Sequence, residues 1–141
     1  MDKRRISKIL ARASREEVRE LAEEIKTAFS PVIIKAPEKS LTMVRMREPV
    51  QESLFYLGEV IVSEAIVELD GAKGMAVLMG DDFDKVLDMA VIDAACNKGV
   101  FQRYDVLERL ENAQNERLEK ENAMFMQTMV NFQSMDSEVE Q

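Results

Sequence analysis

The sequence predicts an α+β fold: an antiparallel sheet of three to four strands packed with helices, and a long C-terminal helix that projects from it. Three observations predict this fold. Residues in the middle of the chain alternate between apolar and polar, Asp70-Gly71 is a strong hairpin signal, and apolar residues at helical spacing flank this segment on both sides. The 141 residues are enough to bury one hydrophobic core.

Two helices are predicted before the sheet. Apolar residues at helical spacing within 6–13 indicate a short first helix. The stretch 14-SREE-17 has the form of a capping box, in which a serine and a glutamate satisfy backbone N–H groups at a helix start. The second helix is therefore expected over 14–29, and Pro31 stops it.

Four segments are predicted as strands, namely 32–34, 41–47, 54–69 and 74–80. The first of these is short and is expected to be closed by Pro37. The last two are joined by the hairpin at Asp70-Gly71, which makes them antiparallel neighbours.

The most regular helical pattern follows the sheet. Asp81 is a suitable N-cap, and the acidic residues after it are favourable near a helix N-terminus. Apolar residues from Phe83 to Ala94 follow the i, i+3, i+4 spacing, and Gly99 suits a helix C-terminus. We expect helices over 14–29 and 82–98 to cover the sheet.

The last helix changes character along its length. Residues 111–122 offer few apolar side chains, which is typical of an exposed helix or of one that bridges two bodies. We therefore predict an α+β core over 1–110. Residues 111–141 belong to the same domain as a helical stalk with an apolar tail.

The apolar tail predicts a partner interface. Leu118, Phe125 and Phe132 are spaced by seven residues, and Met129 shares their helix face. Unbranched methionine side chains suit adaptable interfaces. We expect this face to bind another protein rather than to fold back onto the core.

Composition excludes several classes of function. The formal net charge of −8 argues against binding to nucleic acid or to an anionic membrane. The chain has no histidine, no glycine-rich phosphate loop and no apolar run of about 18 residues. Cys96 is the single cysteine, so no internal disulfide is possible. We expect a cytoplasmic protein without a signal peptide, cofactor, metal ion or catalytic residues of its own.

Four charged residues in the predicted strands are candidate contacts for phosphate or for a partner. Arg45 and Arg47 share one strand face and could hold a phosphate or a carboxylate as a pair of forks. The alternative is a solvent-facing or salt-bridged edge strand, with Glu59 or Glu64 opposite the arginines. Glu59 and Glu64 fall on opposite strand faces, so they are not expected to act as a carboxylate pair.

Two further groups have ordinary structural explanations. Asp81, Asp82 and Asp84 could bind a hard cation, which would suit an independent carboxylate-metal hydrolase. Their spacing is not that of a calcium loop, and helix capping explains them better. Cys96 has no evident cationic activator and is expected to be a small buried side chain.

Taken together, the segments resemble the PhnG subunit of the bacterial carbon–phosphorus lyase system. The resemblance rests on 55-FYLGEVIVSEAIVELDGAKGMAVLMGDD-82, 90-AVIDAA-95 and 130-VNFQSM-135, with 9-ILARAS-14 in support. It covers roughly residues 5 to 136. Two departures are the lack of glycine in 48–53, a segment often glycine-rich in such proteins, and the absence of an N-terminal tryptophan that some relatives carry.

The resemblance implies a role as an obligate subunit of a transferase complex, inactive by itself. PhnG-like subunits work with PhnH-, PhnI- and PhnL-like partners to convert ATP and an alkylphosphonate into a ribose-1-alkylphosphonate 5-triphosphate and adenine. For methylphosphonate the product is α-D-ribose 1-methylphosphonate 5-triphosphate. A PhnJ-like subunit joins the core assembly for the later cleavage of the C–P bond. The alternative is a non-catalytic scaffold that forms homo-oligomers through its C-terminal helix.

Overall fold

The computed structural model describes residues 1–47, 50–51 and 53–140, with side chains except those at 44, 46, 56, 57 and 130–140. The helices are α1 (Lys3–Arg12), α2 (Arg15–Ala28), α3 (Phe83–Lys98) and α4 (Tyr104–Glu140), and the strands are β1 (Val32–Arg47), β2 (Leu54–Leu69) and β3 (Ala72–Met79). The chain forms two compact units, Met1–Tyr104 and Asp105–Gln141. The α+β class, the antiparallel sheet and the long C-terminal helix are as predicted, whereas the boundary at residue 110 stays a prediction.

The three strands form one antiparallel sheet in the order β1-β2-β3. The turn between β2 and β3 has positive φ at both central residues, 47° at Asp70 and 90° at Gly71. This geometry is favoured in two-residue hairpins because its twist matches that of the flanking strands. The hairpin predicted at this dipeptide is confirmed.

Strand β1 is longer than the sequence indicated. The predicted break at Pro37 is wrong, because 32–34 and 41–47 belong to one strand of 16 residues. The register against β2 shifts on both sides of Lys35, and Pro37 lies between the paired residues Lys35 and Glu38. A proline lacks the N–H of a ladder bond, so it is tolerated at such an irregularity of an edge strand.

Helix α3 is the centre of the first unit. It packs against β2 and β3 on one side, and α2 and α1 pack against it as well. Because it is covered by both layers, its buried residues extend beyond the predicted stripe and include Met89, Ile92 and Ala95. Gly99 ends the helix with a φ of 81°, as its predicted C-terminal role requires.

Helices α1 and α2 are joined by a capped turn. The Ser14 hydroxyl accepts a hydrogen bond from the Glu17 N–H at 3.2 Å, which confirms the predicted cap. Ile9, Val18 and Ala22 are fully or almost fully buried and form the inner face of the pair. This face lets the two helices form an outer layer on α3.

The second unit, Asp105–Gln141, contains the remainder of α4. Within the described part of the chain, no helix combines the length and the apolar character needed to cross a membrane.

Candidate functional site

The two candidate arginines lie near the end of β1. Arg45 is paired with Tyr56 and Arg47 with Leu54 on β2. Both arginines are exposed, and alternation along β1 places them on one face of the strand. No ion pair joins either of them to another residue that the structure describes.

The two candidate glutamates have different surroundings. Glu59 is exposed and pairs across the strands with Met43, two residues from Arg45. Glu64 is opposite Glu38 instead, and its carboxylate accepts a 2.5 Å hydrogen bond from the Lys35 ammonium. The sheet therefore brings Glu59, and not Glu64, into the neighbourhood of the arginine pair.

Lys35 explains why Glu64 can lie beside another acidic residue. Its ammonium contacts Glu64 at 2.5 Å and Glu38 at 2.9 Å, so one cation bridges two carboxylates. The hydrogen bond to Glu64, followed by the one to Glu38, raises the pKa of Lys35. This cluster is a structural ion pair on the sheet.

Strands β1 and β2 continue beyond the third strand. Pairing between β2 and β3 begins at Val62 and Met79, whereas β1 pairs with β2 as far as Arg47 and Leu54. We call the two-stranded part, residues 41–47 and 54–61, the ribbon arm. It carries both candidate arginines and Glu59.

The ribbon arm exposes several large apolar side chains that the sequence analysis did not assign to a site. They are Leu41 (63% exposed), Met43, Leu54, Phe55 and Ile61. The alternation of apolar and polar residues in the sequence predicted these strands. This alternation does not show whether the apolar face of a strand is covered by a helix.

The predicted interface helix is exposed where the structure describes its side chains. On α4, Leu118 is 41% exposed, Phe125 62% and Met129 44%. Residues four and seven apart share a helix face, so these three side chains form one apolar stripe. The side chain of Phe132, the fourth predicted member, lies outside the described residues.

Asp82, rather than the predicted Asp81, is the N-cap of α3, and both residues are ion-pair partners. Asp82 accepts a hydrogen bond from the Lys85 N–H at 3.2 Å, and its carboxylate lies 3.0 Å from the Arg15 guanidinium. Asp81 lies 3.7 Å from Lys39. Where the structure describes the chain, no three Cys, Asp or Glu side chains form a group that could hold a metal ion.

Cys96 is not placed as a nucleophile. It is half-buried, and burial raises the pKa of its thiol, although a hydrogen bond with Tyr104 acts in the opposite direction. A raised pKa keeps the thiol protonated near neutral pH, and the thiolate is the reactive form.

A surface cavity of the first unit is not part of the predicted sites. It has a volume of about 610 Å³ and lies between α2 and the segment after α3. Its walls combine polar and apolar side chains, with Ile25 and Phe101 among the apolar ones, and the Arg103 guanidinium pairs with Glu24 at 2.8 Å on its wall. Because this pair neutralises its own charge, it provides no net positive charge for a phosphate.

Asp93 has a structural role that its sequence position did not reveal. Its carboxylate accepts a 3.0 Å hydrogen bond from the Met75 N–H of β3, and Asn97 donates to the Lys73 carbonyl at 2.6 Å. Both bonds come from α3 and satisfy backbone groups of β3, which reduces the tendency of this strand to pair with another chain.

Comparison with known proteins gives one family. The sequence model of the family described as "Phosphonate metabolism protein PhnG" matches residues 1–136. No curated protein matches the chain. The family match spans the sheet, the central helix and nearly all of α4.

Proposed function

Because the chain belongs to the PhnG family of phosphonate metabolism proteins, we propose that it is an obligate subunit of a transferase complex. This complex converts ATP and an alkylphosphonate into a ribose-1-alkylphosphonate 5-triphosphate and adenine. With methylphosphonate, the product is α-D-ribose 1-methylphosphonate 5-triphosphate. The observation that carries the proposal is the family match over 1–136.

The composition supports a subunit without a complete active site of its own. The sequence lacks histidine, the commonest general base. In the part of the chain that the structure describes, Asp82 caps α3 and pairs with Arg15, Asp81 pairs with Lys39, and no metal-binding group is formed. The reacting groups of the complex are therefore assigned to its other subunits, with PhnH-, PhnI-, PhnJ- and PhnL-like proteins as the partners, in the cytoplasm.

The exposed stripe on α4 supports assembly with those partners. Leu118, Phe125 and Met129 place apolar surface in contact with water on a helix that is otherwise rich in charge. Covering such a stripe with a groove of another protein removes this surface from water, which is a common mode of helix recognition. We assign this stripe, with Phe132 as its fourth member, to a subunit interface.

The test is native mass spectrometry of the chain alone and co-expressed with the phosphonate-metabolism subunits encoded beside it. We expect a defined hetero-oligomer that releases adenine from ATP in the presence of methylphosphonate. The control omits this chain from the same co-expression, and that preparation should lose assembly and activity. A stable homo-oligomer that ignores the other subunits would instead favour the scaffold hypothesis and contradict the proposal.

A further inference from the structure

We propose that the ribbon arm inserts into a cleft of a partner protein, and that carboxylates beside this cleft pair with Arg45 and Arg47. The inference rests on the proposed function, since the partner is a subunit of the same complex. It assigns a second contact surface in addition to the stripe on α4.

The first argument is that the arm has only two strands. Beyond the pair Val62 and Met79, the Gly80 N–H donates a 2.9 Å hydrogen bond to the Ile61 carbonyl, and from there to their ends the two arm strands pair with each other. An isolated two-stranded hairpin is at best marginally stable in water and needs a third strand or a packed layer. A partner surface would supply that layer.

The second argument is the distribution of apolar side chains. Leu41 is paired with Ile61, and Met43 is two residues further along the same face of β1. These three side chains are between 51% and 63% exposed, so they form a contiguous apolar surface in contact with water. Exposed contiguous apolar patches with polar residues at their rim are characteristic of protein interfaces.

The third argument is the charge at the rim of this surface. Arg45 and Arg47 follow Met43 on the same face. Elsewhere in the first unit, Arg15 pairs with Asp82 at 3.0 Å, whereas the two arm arginines form no ion pair with a described residue. Guanidinium groups are weakly hydrated and bind carboxylates through two parallel hydrogen bonds, which suits them to interfaces.

The combination of charge and apolar surface favours a protein over a small anion. A phosphate bound by Arg45 and Arg47 would leave Leu41, Met43 and Ile61 in water. Anion sites built from backbone are concave and use successive N–H groups, whereas a two-stranded ribbon directs its N–H groups along its edges. A protein cleft with carboxylates at its end would instead cover the apolar side chains and also pair with the two arginines.

Hydrogen–deuterium exchange provides the first test. The amides of 41–47 and 54–60 should exchange rapidly in the free chain. In the complex reconstituted with the co-encoded subunits, they should slow by about tenfold or more. The free chain with added ATP or inorganic phosphate is measured in parallel, and we expect no protection of the arm in those samples.

Variants provide the second test. Ile61→Asp and the double variant Arg45→Glu/Arg47→Glu should each weaken binding to the partner subunits by about tenfold or more. The matched controls are Val32→Asp, which alters an equally exposed residue at the other end of β1, and Arg19→Glu/Lys73→Glu, which makes the same charge change elsewhere. Both controls should bind as the unaltered chain does. Circular dichroism of every variant checks that the sheet and α3 remain folded.

The outcomes separate this inference from the proposed function. A complex that forms equally well with the arm variants, and leaves the arm amides unprotected, would overturn the arm's role and leave the proposed function standing. Failure of the unaltered chain to assemble would overturn both. Protection of the arm by ATP or phosphate alone would replace the protein partner with a small anion, and protection in a homodimer would replace it with a second copy.

Discussion

The side chain of Lys85 is a charged group buried among helices. Its ammonium donates hydrogen bonds to the carbonyls of Ala11 and Ala13 at 2.8 and 2.6 Å, at the end of α1. These contacts satisfy helix-terminal carbonyls that would otherwise lack a donor. Desolvation by burial lowers the pKa of Lys85 below its ordinary value of 10.5, although Asp82 and Glu17 act in the opposite direction.

This lowered pKa predicts a pH dependence of stability. Between the folded-state pKa and 10.5, the unfolded chain binds the proton that the folded chain has released. The free energy of unfolding therefore rises with pH across that window, relative to a variant without the titrating group. Lys85→Met should be less stable than the unaltered protein by about 1–3 kcal/mol at neutral pH, because the carbonyls of Ala11 and of the buried Ala13 lose their donor.

The measurement is urea unfolding of the unaltered protein and Lys85→Met at a series of pH values from neutral to 10.5. The stability gap between them should widen as the pH rises. The exposed Lys73→Met serves as the control for loss of a lysine. A gap that narrows with rising pH would show that the Lys85 pKa is not lowered by folding.

A second buried charged residue, Asp88 of α3, forms an ion pair with α2. The Asp88 carboxylate accepts a 2.7 Å hydrogen bond from the Lys26 ammonium, and its side chain is only 8% exposed. Breaking such a pair by removing one partner leaves an uncompensated buried charge. The pair therefore specifies how the two helices are placed against each other.

Among the elements, α3 and β3 are packed unusually closely at one point. A methyl group built on Gly74 would lie 2.2 Å from the Ala90 carbonyl oxygen and 2.3 Å from the Ala94 nitrogen. Both are backbone atoms, so a side-chain rotation cannot relieve the overlap. The absence of a side chain at this position allows α3 to approach the sheet closely. The nearby Asp93 carboxylate accepts a hydrogen bond from the Met75 N–H of β3.

Gly74→Ala should therefore destabilise the protein by about 3 kcal/mol or more, since overpacking against backbone forces the helix away from the strand. The measurement is unfolding in urea. The midpoint urea concentration should fall, while the slope of the free energy of unfolding against urea concentration stays the same. Lys73→Ala, at the exposed neighbouring residue, is the control and should change stability by less than about 0.5 kcal/mol. Equal stability of the two variants would mean that the close approach is not required.

At the scale of the whole molecule, we expect changes in the stripe on α4 to weaken assembly without weakening folding. Phe125 is 62% exposed, so replacing it removes little buried surface from the chain itself. Phe125→Asp should abolish association with the partner subunits and leave the thermal unfolding midpoint almost unchanged. Phe132→Asp is expected to act in the same way, from the shared spacing of seven residues.

Size-exclusion chromatography of the co-expressed subunits measures this effect, with calorimetry of the isolated variants for stability. Gln127→Asp adds an acidic side chain to an exposed position on the opposite face of the same helix and should assemble normally. Normal co-purification of both phenylalanine variants would contradict an interface on this stripe.

Features that depend on neighbouring residues could be predicted from the sequence. The Ser14 cap, the Asp70-Gly71 hairpin and the helix end at Gly99 follow from the conformational preferences of a few adjacent residues. The α+β class follows from the change of apolar period along the chain. The exposed stripe on α4 was predictable in the same way where its side chains are described.

Which faces are covered and which charged side chains pair depends on contacts between distant parts of the chain. Pro37 lies within a strand because β1 is an edge. Helix α3 buries residues on more than one face because layers pack on two of its sides. Lys35 joins Glu64 across 29 residues of sequence, and Lys85 reaches α1 across more than 70. The ribbon arm is exposed because β3 ends before β1 and β2 do. Contacts between residues distant in sequence depend on strand lengths and layer order, and local periodicity carries no information about either.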